Sequence, residues 1–238
     1  MKTLSAVVPC YNESRALPAL VNRFAQALGQ SSLGADAFEL VLVENGSTDD
    51  SATVLQDLRR RAEYSFMRVA QVSVNQGYGH GMLEGLRAAA GDVVATSHAD
   101  LQCDPRDLFR AYDLYRTTPE RPLIVKGVRH GRALSAVAIS RGMELAALLM
   151  LQTRLHEINA QPKVFDRQLV RALVDAPLDF GFDLYLLLKA KELGYAIRPV
   201  DVVFPARPYG HSHWAHSFRS RLRTMLGVVR YMAAYRWS

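Results

Sequence analysis

Short apolar runs alternate with longer amphipathic stretches through the first half of the chain. Residues 4–9, 38–43, 67–74 and 93–97 are apolar enough to read as buried strands. The stretches between them carry apolar residues at helical spacing. Residues 14–28 place Leu17, Leu20, Phe24 and Leu28 on one face, with Ser14 available as the cap. Residues 49–61 follow, capped by Ser47 or Thr48, and then residues 79–90. Strand and helix alternating at this spacing predict βαβ units. These build an α/β, Rossmann-like fold with a mostly parallel sheet and helices on both faces.

The second half is less regular. Residues 105–115 read as a helix, with Asp104 and Pro105 at its start, and 123–128 as a strand. Residues 135–151 predict a long apolar helix. Residues 167–174 and 183–193 look helical, the latter closed by Gly194. Residues 196–204 predict a strand and 217–236 a final amphipathic helix. No stretch rich in Pro, Gly or Ser divides the chain. The organisation expected is one main domain over 1–212 followed by a basic helix over 213–238.

Composition adds limits. The 238 residues are 49% hydrophobic and 22% charged, which suits one well-buried domain. The net charge of +6 points to an anionic partner or simply to solubility. Cys10 and Cys103 form no CxxC pair, and a cytoplasmic, reducing location is expected. No run of about 18 uncharged apolar residues stands out as a membrane span.

In a parallel sheet, ligands bind beyond the carboxyl ends of the strands. The first such segment is Pro9-Cys10-Tyr11-Asn12-Glu13. It lacks the GxGxxG of a dinucleotide fold. Tyr11 can stack on a nucleoside and Glu13 can accept from a hydroxyl; the plainer reading is a turn before a helix. In the second, Glu44 or Asn45 could bond a base edge, or Gly46-Ser47-Thr48 could be a turn with a cap. The third holds Gly77, Tyr78, Gly79 and Gly81, whose backbone N–H groups could face an anion or merely form a flexible turn. In the fourth, His98, Asp100 and Gln102 alternate in an extended segment and could share one side. An imidazole, a carboxylate and an amide oxygen suit Mg²⁺ or Mn²⁺ held against a diphosphate.

Taken together, VVPCYNE, VENGSTDDS, NQGYGHGMLEGLRAAAGD and HADLQCDP resemble the inverting family 2 glycosyltransferases. The nearest likeness is to the dolichyl-phosphate or polyprenyl-phosphate mannose (glucose) synthase type. KGVR, NAQPKVFDR, GFD and RPYGHS extend the likeness to about residue 212. The resemblance implies a glycosyltransferase A fold and transfer of a hexose from a nucleoside-diphosphate sugar. The acceptor would be a polyprenyl phosphate or another cell-surface glycan precursor. It implies that Pro9, Tyr11 and Glu13 line the nucleoside pocket and that Glu44 or Asn45 faces the base. Gly77, Tyr78, His98 and Ala99 would complete the donor site. Asp100, with Gln102 and His98 beside it, would hold the divalent cation. Arg129 and Arg207 would meet phosphates.

Asp183 is the candidate base for a hydroxyl acceptor, or else a helix cap. A phosphate acceptor would need no base. Lys163 and His211 could contact acceptor phosphate or be solvated. The family usually carries Asp-Asp at Glu44-Asn45, Asp at His98 and Glu at Tyr185. Those departures motivate an alternative, a non-catalytic nucleotide-sugar-binding protein. No nucleic-acid-binding module is present. In the last helix, Leu222, Met225, Leu226, Val229 and Met232 share one face and Arg219, Arg223 and Arg230 lie elsewhere. Such a helix packs on its own domain or lies on the inner face of an anionic membrane.

Overall fold

The computed structural model describes residues 2–205, 207–209 and 218–236; side chains are described for all of these except 218–223 and 236. Seven strands form one sheet: β1 (Leu4–Cys10), β2 (Phe38–Asn45), β3 (Met67–Val72), β4 (Val93–Thr96), β5 (Leu123–His130), β6 (Lys163–Asp166) and β7 (Ala196–Val203). Their order is β3-β2-β1-β4-β6-β5-β7. β1 pairs in parallel with β2 and β4, β2 with β3, and β5 with β7. β6 runs antiparallel to both its neighbours, β4 and β5. The fold is therefore α/β with a mostly parallel sheet, as the strand–helix alternation requires.

The period of two along the strands loads both faces. Leu4, Ala6 and Val8 of β1 and Phe38, Leu40 and Leu42 of β2 pack into one core. That core is closed by α1 (Leu17–Gln30), α2 (Ser51–Arg59) and α4 (Pro105–Thr117). Val7, Val41 and Val43 face the other core, with α3 (Tyr78–Ala88) and α7 (Phe182–Glu192). α5 (Leu134–Leu151) and α8 (Phe218–Arg236) pack against each other on that side. α6 (Arg167–Arg171) is a short turn of helix after β6.

Several boundaries differ from expectation. α1 begins at Leu17 with Ala16 at its N-cap, and Ser14 does not cap it. Asp50 precedes α2, while Ser47 and Thr48 bond elsewhere. Asp104 does cap α4, accepting from Arg106 N, with Pro105 in the first turn. α6 stops at Arg171, short of the expected end at 174. β6 has no counterpart in the sequence pattern. Its four residues begin at Lys163 and end at Asp166, so only Val164 and Phe165 are left as an apolar run.

α5 departs furthest from expectation. Its 18 residues have a mean hydropathy of 1.6, enough by length and composition to cross a membrane, yet only 6% of that window is buried. The charged residues in it are Arg141 and Glu144. Leu134, Leu145, Leu148 and Leu149 are exposed on one face, at 87%, 55%, 37% and 68%. Glu144, in contrast, is turned inward and accepts from Glu157 N at 2.8 Å. The helix thus shows leucine, with Arg141 on the same face, to solvent and its carboxylate to the protein. In α8, Val228 and Met232 are buried while Leu226 and Val229 are half-exposed, so the packed face is rotated from the predicted one.

Candidate active site at the strand ends

The first two strand-end loops are stitched to each other. Asn12, in a left-handed conformation with φ 56, receives Thr48 N at 2.8 Å on its side-chain oxygen. Glu13 N donates to Ser51 Oγ at 3.0 Å, and Ser14 N to Asp49 at 3.2 Å. These bonds hold Pro9, Tyr11 and Glu13, all half-buried, along the sheet's upper edge. Glu44 accepts from Ser47 N at 2.6 Å and is buried. Asn45 is buried too, donating to Gly77 O at 3.1 Å, and its side-chain oxygen has no partner among the described residues. Both residues brace the loops from below.

The glycines of the third loop serve close packing. A Cβ on Gly79 would collide with the Pro177 carbonyl, and Gly77 has φ +121 with Leu178 O against it. His80 N already donates to that Leu178 carbonyl at 3.1 Å. That bond, together with Gly81 N donating to Gly77 O at 3.2 Å, satisfies N–H groups that the sequence offered to an anion. Tyr78 lies inward of this turn. Its ring stacks on Phe180 at 5.3 Å and meets the His98 ring at 5.8 Å.

The fourth loop carries Asp100. Its Oδ1 accepts from Gln102 N at 3.1 Å, and among the described residues Oδ2 accepts no hydrogen bond. Gln102 donates its side-chain amide to Pro205 O at 2.8 Å, and Arg207 pairs with Glu13. The backbone at 205 and 207 thus lies across the strand ends. Burial raises the Glu13 carboxyl above its ordinary value, Arg207 opposes this, and the charge of Asp100 adds to it. Burial likewise lowers the His98 imidazole, which favours its neutral form, although Asp100 and Asp183 pull the other way. Ala99 is buried beside them.

The described residues hold no group of three or more His, Cys, Asp or Glu able to cage a metal. A divalent cation that takes one carboxylate, a diphosphate and water needs no such cage. Asp100, with a carboxylate oxygen to spare beside His98, fits that mode. Gln102 spends its amide nitrogen on Pro205 O, and among the described residues its amide oxygen accepts no hydrogen bond.

Asp183 sits inside the first turn of α7, where Gly181 is the N-cap, so it does not cap the helix. It is 3% exposed. Its Oδ1 takes Lys163 Nζ at 2.6 Å and Gln161 Nε2 at 3.2 Å. Gln161 in turn accepts from Thr96 Oγ1 at 2.5 Å and donates to the Tyr78 hydroxyl at 3.3 Å. Burial first, and then Asp183, push the Tyr78 phenol well up. Lys163 is completely buried, which corrects the expectation of a solvated or phosphate-reaching lysine. Burial lowers its ammonium, and Asp183 works against that.

Arg129 leaves the end of β5 and donates to Glu157 at 2.6 Å; Arg132 donates to the same carboxylate at 2.8 Å. Lys126 is buried nearby, donating to His156 O at 2.8 Å and Gly127 O at 3.0 Å. Tyr185 is remote from all of this. Its hydroxyl donates to Ala172 O and its ring packs on Tyr231 and Tyr235, so the missing glutamate there leaves the site untouched. His211 lies outside the described residues. Sequence reasoning missed Thr96, Gln161, Arg132 and Glu157. Lone polar residues beside apolar strands were the available signal for the first two; nothing local marks Glu157.

The model of the family described as Glycosyl transferase family 2 matches residues 5–171. The undecaprenyl-phosphate 4-deoxy-4-formamido-L-arabinose transferase of Pseudomonas paraeruginosa is 34% identical over 175 residues, 72% of this chain and 49% of that protein. Its namesake in Serratia proteamaculans is 26% identical over 219 residues, covering 90% and 64%. The chain therefore spans less than two thirds of these relatives. Glucosyl-3-phosphoglycerate synthase from Mycobacterium tuberculosis, solved with Mn²⁺, UDP and glucosyl-3-phosphoglycerate, superposes with a TM-score of 0.70 at 22% identity, over 99% of this chain and 80% of that one. That likeness shows the glycosyltransferase A fold.

Proposed function

The chain belongs to glycosyl transferase family 2, and from that premise we propose that it moves a sugar from a nucleoside-diphosphate sugar to a polyprenyl phosphate. The transfer takes place at the cytoplasmic face of a membrane, with inversion of the anomeric carbon. The observation that carries the reading is the position of α5. Its exposed leucine face begins four residues after the end of β5, the strand that bears Arg129. An exposed apolar helix therefore follows directly on the strand of Arg129, an arrangement that suits a lipid phosphate. The names of the relatives support the same acceptor.

The donor lies across the strand ends. Tyr11 and Glu13 border the nucleoside, Arg207 holds Glu13 in place, and Asp100 faces the diphosphate. The neighbour crystallised with Mn²⁺ and UDP supports a divalent cation at Asp100. When bound, that cation neutralises charge on the leaving diphosphate. An acceptor phosphate oxygen is already an anion, so it attacks the anomeric carbon without a base. Asp183 is then free to stay with Lys163 and Gln161, holding the floor of the site. Residues 1–212 carry this chemistry, and α8 backs α5 at the membrane side.

The donor half of the reading is tested by thermal unfolding with UDP-, GDP- and dTDP-sugars, with and without Mn²⁺. A ligand bound only by the native state adds roughly 2.7 kcal/mol at a hundred times its dissociation constant. One base should stabilise the wild type in a metal-dependent way, and Asp100→Ala should lose the metal dependence. Equal stabilisation with and without metal in both proteins would remove Asp100 from the cation site.

A further inference from the structure

Arg129 uses only its Nε in hydrogen bonds to the described residues. That nitrogen donates to Glu157 at 2.6 Å, and the guanidinium lies over the Phe204 ring at 5.3 Å. Neither terminal nitrogen donates to another described residue. Glu157 is held far more tightly. It is 6% exposed and adopts a left-handed backbone, φ 49, unusual for a side chain of its size. Its N–H is fixed by Glu144 of α5 at 2.8 Å. Arg132 grips both its oxygens, at 2.8 and 3.0 Å. Arg132 itself is anchored to Ala136 O and to Ser140 Oγ, the latter at 2.7 Å. Burial would raise the Glu157 carboxyl, but Arg129 and Arg132 outweigh it and hold it low, so the group stays charged.

We propose that Glu157 is a positioning residue that aims the terminal nitrogens of Arg129, which bond no other described residue, at a substrate phosphate. The inference rests on the reading that Arg129 meets a phosphate. A guanidinium recognises phosphate as a planar fork, and its direction therefore matters as much as its charge. Glu157 fixes the Nε edge, Phe204 covers one face, and the far edge remains for a ligand. Because Glu144 sets the backbone of Glu157, the aim of Arg129 is referenced to the exposed helix α5.

The test is a double-mutant cycle read by calorimetric binding. UDP with Mn²⁺ and undecaprenyl phosphate in detergent are titrated separately into the wild type, Arg129→Ala, Glu157→Gln and the double variant. Arg129→Ala should weaken one of the two ligands about tenfold or more, which identifies the phosphate. Glu157→Gln should weaken that same ligand about fivefold, leave the other within about twofold, and add nothing once Arg129 is gone. Glu157→Asp should restore part of the loss. Should Glu157→Gln not fold, Glu157→Asp carries the same cycle. Equal weakening of both ligands, or an undiminished effect in the Arg129→Ala background, would make Glu157 a purely structural brace and overturn the proposal. Loss of neither ligand in Arg129→Ala would overturn its premise instead.

Discussion

At the scale of single residues, the site is organised by charges that the fold buries. Lys163 and Asp183 form a buried pair at 2.6 Å, with side-chain exposures of 0% and 4%. Removing one partner leaves the other charge uncompensated, at a cost of about 3–5 kcal/mol. Urea unfolding of Lys163→Met should show a loss of that order. Lys163→Met with Asp183→Leu should recover most of the stability, and a double variant as unstable as the single one would contradict the pair. Lys126 gives a pH signature. Burial, then the charge of Lys163, brings its ammonium from 10.5 down to about 7. Between those values the unfolded chain holds a proton that the folded chain lacks, so this group's contribution to stability rises with pH. Below about 7 both states are charged and the full burial cost is present. Relative to wild type, Lys126→Met should be most favoured below about pH 7. That advantage should shrink by about 1.4 kcal/mol per pH unit above it. A stability difference independent of pH from about 6 to 10 would show that Lys126 stays charged in the fold.

At the scale of elements, the βαβ steps of the first half were legible because buried parallel strands and amphipathic helices have distinct periods. The loops after them were legible only as candidates. Gly77 and Gly79 looked like an anion cradle, but their lack of Cβ lets the 177–179 segment close on α3. Gly79→Ala should therefore destabilise strongly, since its Cβ would collide with a backbone carbonyl oxygen. Gly29→Ala, in the exposed last turn of α1 with nothing within 4 Å, should be stabilising by about 0.5 kcal/mol. Comparable denaturation midpoints for the two variants would refute the packing role. β6 and the Glu157 cluster were not legible. Four residues with a charge at each end show no alternation, and the pairing of Glu157 with Arg129 spans 28 positions that no local pattern links. α5 was legible as an apolar helix but not as an exposed one, because periodicity reports a face and not what covers it.

At the scale of the whole molecule, the sheet presents its strand-end chemistry next to an uncovered leucine surface. Each leucine that leaves water for hydrocarbon contributes roughly 1.5–3 kcal/mol. The chain should co-sediment with vesicles containing phosphatidylglycerol, and Leu145→Ser with Leu149→Ser should leave it in the supernatant. Equal sedimentation of the two proteins would take α5 off the membrane. Burial lowers the His98 imidazole, and Tyr185 is turned away to Ala172 O. The most direct test is transfer itself: radiolabelled sugar nucleotides incubated with the protein, Mn²⁺ and undecaprenyl phosphate, followed by organic extraction. The account predicts label in the lipid phase from one donor, falling about a hundredfold in Asp100→Ala. Label that stays in the aqueous phase with every donor, from a protein that binds one of them, would contradict it.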